Sequence, residues 1–111
     1  MNPAQLDHLV VMAHRLDEGV QWCEATLGVT PDAGGQHAFM GTHNRLLRTS
    51  SAAFSNSYLE IIAIDPAGQA PAGQRWFDMD HAALRNTVES QGPQLIHWVA
   101  RVPDIGASTQ A

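Results

Sequence analysis

Polar and apolar residues alternate over residues 6–12. Leu6, His8, Val10 and Met12 fall on one face, and Asp7, Leu9 and Val11 on the other. This two-residue period, with the β-branched pair Val10-Val11, predicts a strand. The period then lengthens: Leu16, Val20, Cys23 and Leu27 form a helical stripe, which predicts an amphipathic helix facing a core. Asp17 is its expected N-cap. Gly28 is the expected left-handed terminator, and Pro31 prevents the helix from resuming. Residues 32–41, with Gly34, Gly35 and Gly41, read as a loop. Thr42 to Thr49 alternates again, with His43, Arg45 and Leu47 opposite Asn44, Leu46 and Arg48. Ser50 to Asn56 is small and polar, as a hairpin connection requires. Tyr58 to Ile64 is the strongest strand in the chain, ended by Asp65-Pro66 because proline cannot donate to a ladder. Residues 66–74 read as a surface loop. A second helix is expected from about Asp80 to Gln91, capped by Asp78 or Asp80, with Leu84 and Val88 inward and Gly92-Pro93 as its stop. Residues 95–102 form a last strand, and 103–111 a frayed tail.

This order predicts an α+β domain: a βαβββ module with an additional helix and strand, the helices packed on one face of a mixed sheet. The opposite face is then the concave one. The 111 residues suffice for one domain with a core that needs no staples. Cys23 is the only cysteine, so no internal disulfide forms and a reducing, cytoplasmic setting is expected. No apolar run reaches the ~18–20 residues that span a bilayer, so no membrane partner is expected. The formal net charge is −5. All six basic residues are arginines and make no stripe, which argues against a nucleic-acid surface. Without lysine there is no Schiff-base chemistry.

The candidate chemistry lies within the strands themselves. His8, Glu60 and His97 each stand among apolar residues, where an ionisable group is costly unless paired or bound. With period-two geometry, His8 shares a face with Val10 and Met12, and Glu60 with Tyr58, Ile62 and Ile64. An imidazole and a carboxylate projecting into one hollow suit a divalent Zn, Ni, Mn, Co or Fe ion. Open positions on such an ion would take adjacent substrate oxygens, with Glu60 as ligand and base in turn. The competing reading is structural: hydrogen-bonded core histidines, and a Glu60 neutralised by Arg45 or Arg101. His37, from its glycine-flanked loop, and His43 could reach the hollow and contact substrate. Trp76 could line it, and Arg45 is a further substrate-binding candidate. Trp98 should point opposite His97, against the helix layer, as a core residue. Cys23, on an inward stripe, is not expected to be reactive.

Several stretches together resemble a known family. They are Leu6-Asp7-His8-Leu9-Val10-Val11, Leu16-Asp17-x-Gly19-Val20-x-Trp22 and Leu27-Gly28-Val29-x-Pro31. Gly41-Thr42-His43-Asn44-Arg45-Leu46, Tyr58-Leu59-Glu60-Ile61-Ile62-Ala63-Ile64-Asp65 and Gly92-Pro93-x-Leu95-x-His97-Trp98-Val99-Ala100-Arg101 continue the pattern. The chain resembles the glyoxalase-like branch of the vicinal oxygen chelate (glyoxalase, bleomycin resistance, dioxygenase) superfamily. The resemblance implies βαβββ modules that pair into a trough, with metal ligands on the first and last strands of each module. By position it makes His8 and Glu60 the ligands of module one (residues 6–65) and His97 the first ligand of module two. Residues 66–102 then supply only a loop, a helix and the first strand of that second module, which makes it truncated. A homodimer is the expected cover for the unfinished sheet. The function implied is the binding of a small oxygen-rich molecule, with metal-dependent lyase, isomerase or dioxygenase chemistry. The alternative is metal-free sequestration of a small molecule, as in bleomycin-resistance proteins.

Overall fold

The computed structural model describes residues 5–49, 57–68, 70–71 and 73–101. The elements are β1 (Gln5–Met12), α1 (Leu16–Leu27), β2 (Asp32–His37), β3 (Thr42–Arg48) and β4 (Tyr58–Ile64), then a 3-10 turn (Trp76–Asp78), α2 (Ala82–Gln91) and β5 (Gln94–Arg101). The five strands form one mixed sheet in the order β2-β3-β4-β1-β5. β1 runs parallel to β4, and every other neighbouring pair is antiparallel. The fold is thus α+β, as expected. The connection expected at residues 50–56 and the tail at 103–111 lie outside the described residues.

Register fixes the two faces. Pairing Val10 with Glu60, Met12 with Ile62 and Asn44 with Ile62 puts these side chains on one side. Leu9, Val11, Leu59 and Ile61 take the other. On the first side Val10, Met12 and Ile62 pack with Met79, Val88 and Leu84, so α2 covers part of it. On the second, Val11, Leu59 and Ile61 pack with Cys23, Leu16 and Trp22 of α1. The helices therefore lie on opposite faces, not on one as expected. The reason is that both faces of β1 and β4 are apolar, so each needs a cover. Gly19 lets α1 sit close on the sheet: a Cβ there would stand 2.5 Å from Ile61 Cγ2.

Local details also differ from the sequence reading. Helix α1 begins at Leu16 with Arg15 in the N-cap position, and its cap makes no side-chain hydrogen bond. Asp17 lies in the first turn, where it bonds the Arg15 guanidinium at 3.2 Å. Gly28 ends the helix as expected, at φ 71°, its N–H donating to the Glu24 carbonyl. Residues 32–37, expected as loop, are an edge strand, because pairing with β3 satisfies the backbone of a glycine-rich segment that has no apolar period of its own. Helix α2 starts at Ala82, close to the expected position, but His81 and not Asp78 or Asp80 occupies the N-cap. Asp80 instead accepts from the Arg75 backbone N–H at 2.8 Å and from its guanidinium at 2.7 Å. Trp98 is no core residue: it is 63% exposed, beside Leu95 at 64%. It does oppose His97, but α1 packs over β3 and β4 and leaves that side of β5 bare.

Candidate functional site

The parallel pairing of β1 and β4 places His8 directly beside Tyr58, two register positions from Glu60 and on the same face. The His8 and Tyr58 rings stack at 4.4 Å with their planes 8° apart. His8 Nδ1 lies 2.7 Å from Asp7 Oδ2. A carboxylate only accepts, so Nδ1 carries the proton and Nε2 faces away from Asp7. Nε2 stands 3.4 Å from Glu60 Oε1. Glu60 is 7% exposed, and burying a charged carboxylate is expensive unless partners hold it. Asn44 is one such partner: its Nδ2 donates to Glu60 Oε2 at 2.8 Å. The amide is oriented by its other end, where Asn44 Oδ1 accepts from the Gly35 N–H at 2.8 Å. That approach depends on Gly34, whose place a Cβ could not share with the Asn44 carbonyl and amide oxygens. A continuous chain thus runs from the β2 backbone through Asn44, Glu60 and His8 to Asp7.

His37, at the end of β2, completes the cluster. Its Nε2 is 4.0 Å from Glu60 Oε2, and its Nδ1 is 3.0 Å from Thr42 Oγ1. Trp76 meets His37 edge-on at 5.7 Å and Phe39 at 5.2 Å. Both aromatics are accessible, Phe39 at 66% and Trp76 at 38%. The turn carrying Trp76 holds Phe77 and Asp78 in the left-handed region, each at φ 59°, a conformation that costs a side-chain-bearing residue roughly 1–2 kcal/mol.

Of the residues singled out from the sequence, the fold gathers His8, Glu60, His37 and Trp76. It does not gather the others. His97 pairs with Val10 in register, yet its ring stacks on Phe77 at 4.5 Å. Arg45 pairs with Ile61 and His43 with Ala63, so both project from the opposite face to Glu60. Arg45 therefore does not neutralise Glu60. His43 instead lies 3.8 Å from Asp65. Asn44 and Asp7 were missed as site residues. The signal available was that Asn44 and Leu46 share the face of Glu60; the signal for Asp7 was absent, since neighbours along a strand point to opposite sides.

The donor set suits a divalent ion in kind. An imidazole whose second nitrogen is held by a carboxylate is the usual form of a histidine ligand, and Glu60 offers a hard oxygen beside it. Among the described residues, however, no group of three or more His, Cys, Asp or Glu is arranged to hold a metal. Two of the three expected ligands converge and His97 stands apart.

A mixed sheet of this topology, with an imidazole and a carboxylate on its first and last module strands, defines the vicinal oxygen chelate type of protein. The family model for the glyoxalase-like domain matches residues 6–111, and the chain belongs to that family. Solved structures with the same fold include methylmalonyl-CoA epimerase of Streptomyces coelicolor in complex with 2-nitronate-propionyl-CoA. The likeness there has 18% identity and a TM-score of 0.58, over 96% of this chain and 67% of that one. The methylmalonyl-CoA epimerase of Mycobacterium tuberculosis is similar at 19% identity and a TM-score of 0.56, over 93% and 58%. A hypothetical protein of Bacillus halodurans is similar at 13% identity and a TM-score of 0.59, over 98% and 66%. The chain thus spans about two-thirds of the length of these structures or less. No curated protein matches the sequence. No helix among the described residues is long and apolar enough to cross a membrane.

Proposed function

We propose that the His8–Glu60 pair binds a small oxygen-rich molecule and moves a proton at a carbon next to its carbonyl, an isomerase-type reaction. One observation carries this reading. With Nδ1 committed to Asp7, His8 Nε2 faces a carboxylate oxygen at 3.4 Å. A bare imidazole nitrogen and a carboxylate oxygen are both acceptors, so the gap between them suits a proton or a cation. A pair built to share a proton is a pair that can pass one on.

In this reading Glu60 Oε1 takes the substrate proton, the C–H bond electrons move into the carbonyl, and His8 holds the charge on the carboxyl steady. Asn44 keeps Oε2 turned away from the reacting atom. Asp7 and Tyr58 keep the imidazole in its orientation. The proton then returns to carbon. A divalent ion, if bound, would be held by His8 and Glu60 and would polarise the substrate carbonyl. Zn, Ni, Mn, Co and Fe all suit these donors. The homodimer expected from the sequence accompanies this reading. β5 is an edge strand carrying the exposed Leu95 and Trp98, and such edges are normally covered.

The exposed Phe39 and Trp76 beside His37 favour a second reading, in which the same face sequesters an aromatic or apolar molecule without reaction. Incubation with methylmalonyl-CoA in deuterium oxide, with metal content measured alongside, separates the two. Exchange of the α-proton that falls at least 100-fold in Glu60→Gln supports the proposal. Absence of exchange at every added metal, with melting temperature raised by aromatic ligands, overturns it in favour of sequestration.

A further inference from the structure

His97 projects from the same face of the sheet as His8 and Glu60. Val10 of β1 pairs with Glu60 on one side and with His97 on the other, and residues paired in register point to the same side. His97 and Glu60 therefore flank β1, with backbones roughly 10 Å apart at the usual strand spacing. His8 lies two residues along β1 on that face. The backbone thus brings a third donor towards the pair, yet no three such groups are arranged to hold a metal among the described residues. The reason lies in what covers the His97 ring.

Phe77 stacks on that ring, with centroids 4.5 Å apart and planes 29° apart. It also packs against the apolar cluster that contains Val10, Met12 and Ile62, so it enters from the face that carries the donors. Its backbone is strained in doing so. Phe77 stands at φ 59°, ψ 31° and Asp78 at φ 59°, left-handed conformations that residues with a Cβ avoid. Two such residues in succession persist only where the surroundings hold them. Here both flanks are pinned. Before the turn, the Arg75 guanidinium donates to the Met40 carbonyl at 2.8 Å and to Asp80 at 2.7 Å. After it, Met79 is fully buried, and the His81 N–H donates to the Asp78 carbonyl at 2.9 Å.

We infer that Phe77 is an autoinhibitory plug that keeps His97 out of a three-donor set with His8 and Glu60. While the turn holds, the His97 imidazole is committed to the phenyl ring, and the pair offers a cation two donors. With Phe77 withdrawn, His97 is free to supply the third, and two imidazoles with one carboxylate suit a zinc ion. Leaving the stack forfeits an aromatic contact. Relaxing the two left-handed residues offsets part of that loss, so the contact is poised to open. This inference concerns cation binding alone and stands or falls independently of the proton-transfer reading.

Zinc chloride is the probe, titrated at fixed pH against the full chain by calorimetry. His97→Ala should leave the wild-type affinity within about twofold. Phe77→Leu, which keeps apolar cover over Val10 and Met12 without the ring, should bind zinc about fivefold more tightly or better. That gain should vanish when His97→Ala is added to Phe77→Leu, and binding should be lost when His8→Ala is added instead. In the wild type alone, proton NMR should show the His97 ring signals displaced by the Phe77 ring current, and zinc should leave them there. This last measurement needs no variant, so it still decides the matter should Phe77→Leu fail to fold. Weaker zinc binding in His97→Ala, no gain in Phe77→Leu, a gain that survives the loss of His97, or undisplaced His97 signals would each overturn the inference.

Discussion

The replacement of Asn44 by aspartate tests the hydrogen-bonded chain that holds Glu60. The two side chains are isosteric, and the Gly35 N–H can still donate to the retained oxygen, now 2.8 Å away in the wild type. What changes is the other end. A nitrogen that donated to Glu60 Oε2 at 2.8 Å becomes an oxygen that repels it. A hydrogen bond to a charged group contributes roughly 1.5–3 kcal/mol. Both residues are buried, Asn44 at 8% exposure and Glu60 at 7%, so water screens the new repulsion poorly. Two carboxylates this close do not both ionise; one keeps its proton to higher pH than it would unfolded. We expect Asn44→Asp to lose about 3 kcal/mol at pH 7, or roughly 12 °C in Tm. The sign of its pH dependence follows. A carboxyl that holds its proton more tightly when folded favours the folded state at low pH and disfavours it as pH rises. The deficit should therefore shrink to about half near pH 4.5, where the pair shares a proton as an O–H···O bond. Urea unfolding of both proteins at the two pH values measures this. A deficit under about 0.5 kcal/mol at pH 7, or one equal at both pH values, would refute the proposed coupling of Asn44 to Glu60.

Two further outcomes follow from the fold. Gly19→Ala would ordinarily strengthen a helix by about 0.5–1 kcal/mol, but here the new methyl meets Ile61 Cγ2 at 2.5 Å and Ala13 Cβ at 3.1 Å. Overpacking of about 1–3 kcal/mol should win, so thermal melting should show a Tm several degrees lower; a higher Tm would show that α1 can lift off β4. The Arg75 backbone N–H and guanidinium hold the Asp80 carboxyl below its usual value of 3.8, against the opposing pull of burial. Asp80→Asn should cost about 1–2 kcal/mol near neutral pH. Because the folded value is the lowered one, this advantage of the wild type should be intact above pH 4 and vanish as pH falls through the folded value. A denaturant series down to pH 2 reads it, and a wild-type advantage unchanged at pH 2 would contradict the pairing.

The periodicity of residues 6–12, 16–27 and 58–64 determined β1, α1 and β4 by itself, since each carries its own apolar face and end signals. The stretch from about Asp80 to Gln91 declared α2 through Val88, Leu84 and the Gly92-Pro93 stop, though Asp80 was drawn off by Arg75 and did not cap it. The sequence also placed His8 and Glu60 each on a definite face of its strand, because alternation along a strand is local. Which strands become neighbours is not local. Only the tertiary structure set β1 parallel to β4 and so brought His8 to Glu60, and only it folded β2 back as an edge strand that delivers His37 and orients Asn44 through Gly35. The same register carried Arg45 and His43 to the far face and left Trp98 uncovered. Burial on each face depends on where the helices land, and α2 took part of the face that the amino-acid pattern had made the concave one, because both faces of the central strands are apolar.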